Sequence, residues 1–410
     1  MRPTACFDKS FLQSLSVDES VWFDHYFVAV ITPLFFVETL ADLGKQVEEG
    51  QTPENEVGKI ADKTPELNGS PTAFYRTLCD AELRGFPVPM DGRPVLGGGK
   101  RAVVGDHKGL VIEVSPEVEA LARWRRREFM EVERLHAKAW RAALAMPVWN
   151  GANDFLSWGR TQLRECGRIE DVLPLVRSIV DGKSSPYHLM KFVFDAVGVG
   201  SDRDRIFARY QAVGFPPLRQ FAPYTAHVLD VEIFCRFSME RGLIPRPPST
   251  HRIDIAYLNY LPFCQIFISG DKIHRKTVPL FTPSSHDFVW GPDLKADLKQ
   301  INDRHKNVPE KVREKGIHAF APFPPRDGDF LTSKLWDRTS GNWRNPMKLS
   351  LDSQQLSEHV VKLVKAMRGS ANAGTPAPIF SLDAADSLTI DRRVRVKKGS
   401  WYQLPKDLKS

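Results

Sequence analysis

Two short stretches near opposite ends of a long interval decide how this chain reads: Thr4-Ala-Cys-Phe-Asp8 and Gln265-Ile-Phe-Ile-Ser269-Gly270-Asp271. Each is an apolar, strand-favouring run closed by an acid, which predicts a short buried strand. In an open α/β sheet the carboxyl ends of the strands line the ligand crevice, so a strand that ends in Asp aims a carboxylate into it.

Two further acids lie just outward of these runs. Thr32 offers an N-cap and Pro33 the first helical position, and Leu34, Val37, Leu40 and Ala41 follow at helical spacing. Glu38 and Asp42, four apart, then share one face of that helix. Asp254 opens a second helical run, Ile255 to Leu261, which leads into the strand before Asp271. Four carboxylates (Asp8, Glu38, Asp254, Asp271) meeting in one crevice would repel one another, and a divalent cation relieves that repulsion. Mg2+ or Mn2+ suits a site of carboxylate oxygens, waters and substrate phosphate, and such an ion activates water and clamps the scissile phosphate. Taken singly, each acid also has a purely structural reading: Asp8 and Asp271 as turn residues, Glu38 as a helix charge, Asp254 as a helix cap.

The segment Cys6-Phe-Asp8-Lys9-Ser10, with Val30-Ile-Thr-Pro-Leu-Phe-Phe-Val-Glu38, resembles the opening of PIN-domain nucleases. The segment from Asp254 to Ser269-Gly270-Asp271 resembles that family's second half. The resemblance covers about residues 1–45 and 225–285. It implies a PIN-like three-layer α/β/α core with a mostly parallel sheet, in which Asp8, Glu38, Asp254 and Asp271 bind metal. Ser269 would match the hydroxyl that hydrogen-bonds within the acidic cluster, with Asp42 in support. The interval between Glu38 and Asp254 is far longer than a compact PIN domain needs. The expected organisation is therefore a split core (1–45 and 225–290), a large, mainly helical insertion (46–224) and a C-terminal extension (291–410).

Within the interval, residues 116–146 predict one long helix with a basic outer face that includes Arg123, Arg126, Arg127 and Arg134. Such a face either tracks a phosphate backbone, with Trp124 and Trp140 stacking on bases, or pairs with Glu128, Glu131 and Glu133. Lys272 and His274 follow Asp271 within reach of a substrate phosphate, although a surface role suits His274 as well. A second amphipathic helix is expected at 351–368. The tail from Arg392 to Lys398, with Trp401 and Tyr402, reads as nucleic-acid binding or as a flexible basic end. Gly97-Gly98-Gly99-Lys100 lacks the spacing of a P-loop.

Composition narrows the class. The 410 residues are 42% hydrophobic and carry a net charge of +7, a balance that favours polyanionic partners. Five scattered cysteines without a C-x-x-C pair indicate neither a disulfide framework nor a zinc knuckle. The apolar run Phe27 to Val37 is too short to span a bilayer and is broken by Thr32-Pro33, so no membrane association and a cytoplasmic location are expected. The resulting expectation is a metal-dependent nuclease acting on RNA more than on DNA. The alternative is an inactive PIN-like nucleic-acid-binding or scaffold protein. A toxin or defence-effector role, with an antitoxin or other protein partner, is compatible with the first.

Overall fold

The computed structural model describes residues 2–45, 50–104, 107–112, 115–145, 159–182, 185–244, 250–283, 285–345, 365, 366, 368, 376–380, 387–390 and 392–408. In chain order the strands are β1 (Thr4–Phe7), β2 (Val28–Ile31), β3 (Gly69–Pro71), β4 (Leu96–Val104), β5 (His107–Ile112), β6 (Ile266–Ser269), β7 (Asp287–Trp290), β8 (Pro376–Phe380), β9 (Ser387–Ile390), β10 (Lys397–Lys398) and β11 (Trp401–Tyr402).

Five of these form an all-parallel sheet in the order β3-β2-β1-β6-β7. Both expected strands stand side by side at its centre, with Ala5 opposite Ile266 and Phe7 opposite Ile268, although 261 residues separate them. From β1 the chain builds outward through β2 and β3. It then returns to the other side of β1 with β6 and β7. The order therefore reverses between β1 and β6, and a crevice opens over the carboxyl ends of those two strands.

The sheet is buried on both faces, which explains why its strands are continuously apolar rather than alternating. Cys6, Val30 and Phe267 pack into one core with the helices Tyr75–Leu83, Ile169–Val180, Pro186–Val197, Pro223–Glu240 and Lys272–Phe281. Their chain neighbours Ala5, Phe7, Ala29, Ile31, Ile266 and Ile268 point the other way. They pack with Val17–Tyr26, Pro53–Lys63, Gly291–His305 and Leu331–Thr339. The protein is thus an α/β fold with helices on each face of a parallel sheet.

The sheet reaches beyond the two segments of the expected split core, because β3 comes from the stretch read as insertion. Most helices of the first face come from that stretch too. A separate four-stranded sheet, β8-β4-β5-β9, joins the Gly97–Gly99 region to the C-terminal part of the chain.

Three local expectations change. Residues 116–146 form two helices, Pro116–Arg125 and Glu131–Ala145, because Arg127 takes a left-handed conformation (φ 60°) that no helix interior accommodates. Asp254 lies inside the helix Thr250–Ala256 rather than at a helix start, and a 3-10 segment, Tyr257–Phe263, follows it. The tail from Arg392 is not a loose basic end. The Lys398 ammonium donates to the carbonyls of Lys63 and Thr64, and Trp401 is buried against Trp22 with its indole N–H on Asn302. The helix expected at 351–368 falls almost wholly outside the described residues.

Candidate active site

Asp8 follows β1 directly and caps the helix Lys9–Ser14, its Oδ1 accepting from the Phe11 N–H at 2.9 Å. Asp271 does the same for the helix Lys272–Phe281 by accepting from the Ile273 N–H at 2.8 Å. Capping is the structural reading of these acids, yet it also pins both carboxylates at the lip between β1 and β6. Gly291, which opens the helix after β7, is needed there. A Cβ would stand 3.0 Å from the Gly270 nitrogen and 3.1 Å from the Ser269 carbonyl carbon.

Ser269, the last residue of β6, joins the two acids. Its hydroxyl donates to Asp8 Oδ2 at 2.5 Å, accepts from the Asp271 N–H at 2.9 Å, and lies 2.7 Å from His274 Nδ1. With its one proton given to Asp8, Ser269 accepts from Nδ1–H. His274 Nε2 lies 2.6 Å from the Asp254 carbonyl, which only accepts, so Nε2 carries a proton as well. The hydrogen-bond pattern thus requires an imidazolium. Burial disfavours that charge, but the hydrogen bond and charge of Asp8, with Asp254 in support, outweigh it and raise the His274 pKa to about 9. The reading of His274 as a surface residue is therefore corrected: it is fully buried, at the heart of the acidic lip.

The remaining acids approach from the helices. Thr32 caps Pro33–Ala41 as expected, its hydroxyl accepting from the Phe35 N–H at 3.2 Å, and the helix carries Glu38 to the same lip. Glu38 Oε2 accepts from the buried Tyr257 hydroxyl at 3.1 Å, and Oε1 lies 3.4 Å from Lys9 Nζ. Lys9 also contacts Asp42 at 2.9 Å, and Lys45 closes on Asp42 from outside at 2.5 Å. Among the described residues, the carboxyls of Asp8, Glu38 and Asp42 therefore contact Lys9, Lys45 and His274, with Asp254 and Asp271 beside them.

Burial and the neighbouring acids act together at two positions. Burial pushes the Asp254 carboxyl up, and the charges of Glu38, Asp271 and Asp8 add to that against His274, leaving its pKa at about 7. Glu38 is raised too, by burial and by Asp8, against the pull of Lys9. Asp8 is the exception: burial lifts it, but His274, Ser269 and the Phe11 N–H hold it below the usual carboxylate range. All four acids named from the sequence are therefore electrostatic neighbours.

As a donor set they fit a hard divalent cation: all-oxygen carboxylates gathered at one lip. Internal donors occupy much of that capacity, however. Among the described residues, no three His, Cys, Asp or Glu side chains stand in metal-ligand geometry.

Lys9, Tyr257 and the buried role of His274 escaped the sequence reading. A signal was present in the spacing: Tyr257 is three residues after Asp254, and His274 three after Asp271, the separation that puts two side chains on one helical face. The arginines proposed for phosphate contact are engaged within the protein: Arg123 with Glu133, Arg126 with Glu128, and Arg127 with Asp62. Trp124 is buried and donates to Glu133, whereas the side chain of Trp140 lies outside the described residues. Lys272 is exposed beside Asp271. No described helix is long and apolar enough to cross a membrane. Comparison with models of protein families, with curated proteins and with solved structures gives no match, so the site stands on its own geometry.

Proposed function

We propose that the protein is a metal-dependent nuclease that hydrolyses phosphodiester bonds, in RNA by preference, at the lip formed by Asp8, Glu38, Asp254 and Asp271. The observation that carries this reading is the gathering of these four carboxyls over the carboxyl ends of β1 and β6, where burial first and then the charges of Glu38, Asp271 and Asp8 lift Asp254 to about 7. An arrangement serving the fold alone gains nothing from charges that repel. The PIN-like resemblance of the segments carrying these acids, and the place of the lip at the sheet's switch point, support the same reading.

In this reading the four carboxylates hold one or two Mg2+ or Mn2+ ions, which supply an activated water and stabilise charge on the phosphate. The protein's own groups prepare the site. Ser269 and His274 fix the orientation of Asp8, and Tyr257 and Lys9 fix Glu38. At neutral pH Asp254 stands near its midpoint and so can release a proton as a cation arrives. Lys272, exposed beside Asp271, is placed to meet a substrate phosphate.

The second reading, a PIN-like nucleic-acid-binding protein without chemistry, is favoured by one observation. Lys9 and His274 already act as internal counter-ions, and no described trio has ligand geometry. Incubating labelled RNA and DNA with the protein, in manganese or in chelator, separates the two. Chelator-sensitive cleavage that disappears in Asp8→Asn and Asp271→Asn supports the nuclease; binding without cleavage supports the alternative.

A further inference from the structure

Beside the acidic lip lies a cavity of about 490 Å3, lined by Ser10, Gly270, Asp271, Lys272, Ile273 and Lys276 on the sheet side. Its other wall is Ile169, the first residue of the helix Ile169–Val180, with Leu243 and the buried Ile244 in the turn that follows the helix Pro223–Glu240. We propose that this cavity seats one nucleotide of a single-stranded nucleic acid, next to the bond at the acidic lip, with its phosphate on Lys272 and Lys276 and its base against Ile169, Leu243 and Ile244. The position of the cleaved bond rests on the nuclease reading above; the binding of the strand does not.

Three features support this occupant. The volume falls in the range of small-ligand pockets, enough for a nucleotide. The lining is divided as a nucleotide is divided, with cations on one side and an apolar wall on the other. The two lysines also differ from the arginines of the basic helix face and the tail: Arg123, Arg126, Arg127, Arg134 and Arg395 each face a carboxylate, whereas Lys272 and Lys276 are exposed and have no carboxylate partner among the described residues. Four apart on one helix, they share a face and turn two ammonium groups toward the cavity, which Asp271 also lines. A base that is paired and stacked in a duplex has no free face to lay on the wall, so the pocket selects unpaired strand.

The test is fluorescence anisotropy with a short fluorescein-labelled oligouridylate and the full chain, in calcium and again in chelator. Saturable binding is expected, weakened about tenfold or more by Lys272→Glu with Lys276→Glu, since two charge-assisted contacts are lost. Ile169→Trp, which fills the apolar side, is expected to weaken it severalfold, and the annealed duplex to compete poorly. Both lysines are exposed, so a matched thermal melt for the double variant is also expected. No binding in either condition, equal binding by both variants, or equal affinity for duplex and single strand would overturn the proposal. Manganese-dependent cleavage, followed separately, decides the nuclease reading. A chain that binds through this pocket and cleaves nothing would keep the pocket and lose the chemistry.

Discussion

Two buried charge clusters lie in this molecule, and they are built to opposite rules. At the acidic lip five carboxyls stand together, and burial, with the charges of Glu38, Asp271 and Asp8 added, drives Asp254 up to about 7. On the outer side of the sheet, where the C-terminal strap crosses, Asp24, Asp62 and Glu66 meet Arg125, Arg127, Arg395 and Lys398. There Arg395 grips Glu66 with its guanidinium and its backbone N–H, Arg125 reaches Glu66 at 3.2 Å, and Asp24 accepts three backbone N–H groups from residues 66–68. Burial lifts the Glu66 carboxyl, yet Arg125, Lys398 and Arg395 more than reverse it, and the group stays below the usual carboxylate range. A cluster whose acids are each met by cations or backbone N–H groups serves the fold, because unpaired buried charge costs stability. A cluster whose acids stand against one another keeps capacity for a cation from outside the chain.

The sharpest way to break that contrast is to remove one member of each cluster and compare the damage. Asp8→Asn or Asp271→Asn is expected to lower manganese-dependent RNA cleavage by about a thousandfold or more, equivalent to roughly 4 kcal/mol, with the thermal transition still cooperative. Retained cleavage in both variants would remove the distinction between the clusters. Glu66→Gln should do the reverse. It removes a buried partner of Arg125 and Arg395, of which Arg395 keeps its contact with Asp62, and is expected to cost about 2–3 kcal/mol in urea unfolding, while the folded fraction keeps its cleavage rate. A stable but inactive Glu66→Gln would invert the comparison.

A smaller effect follows from His274. Its folded pKa of about 9 lies above its ordinary value of 6.5, so the native state holds a proton that the unfolded chain has released. The associated stability is fully present below pH 6.5 and is lost as pH rises through 9, amounting to at most roughly 3 kcal/mol. Denaturation midpoints measured across that window should decline in the wild type and flatten in His274→Gln; parallel slopes would show that the imidazolium does not form. The smallest effect is expected of Arg126→Ala. Its partner Glu128 is equally exposed, so neither melting nor RNA cleavage should change. A loss of RNA affinity would restore the basic face to the substrate path.

The amino-acid sequence made legible what depends on short local rules. The apolar runs before Asp8 and Asp271, and the Thr32-Pro33 helix start before Glu38, are local signals, and each appears where it was expected. What escaped depends on contacts between distant segments. Arg127 breaks a helix whose periodicity gives no warning, and it pairs with Asp62. Gly69–Pro71 carries almost no strand signal, and it joins the sheet edge because β2 offers it hydrogen-bonding groups and Arg392 donates to the Gly69 carbonyl. His274 read as a surface residue since its spacing from Asp271 does not reveal that the distant Asp254 carbonyl closes over it. At Arg123–Arg127 the alternative of local pairing holds for Arg123 with Glu133 and Arg126 with Glu128, whereas Arg127 and the tail residue Arg395 find their counter-charges on distant Asp62 and Glu66.

Manganese binding to the full chain near pH 7, followed by calorimetry in buffers of different ionisation enthalpy, puts the acidic lip to its most direct test. Saturable binding accompanied by proton release is the expected result, because Asp254 is close to half protonated there, and Asp254→Asn should abolish the proton release. No saturable binding, or binding unaltered by both Asp254→Asn and Asp271→Asn, would mean that the surplus of acid at the switch point serves some purpose other than holding a cation.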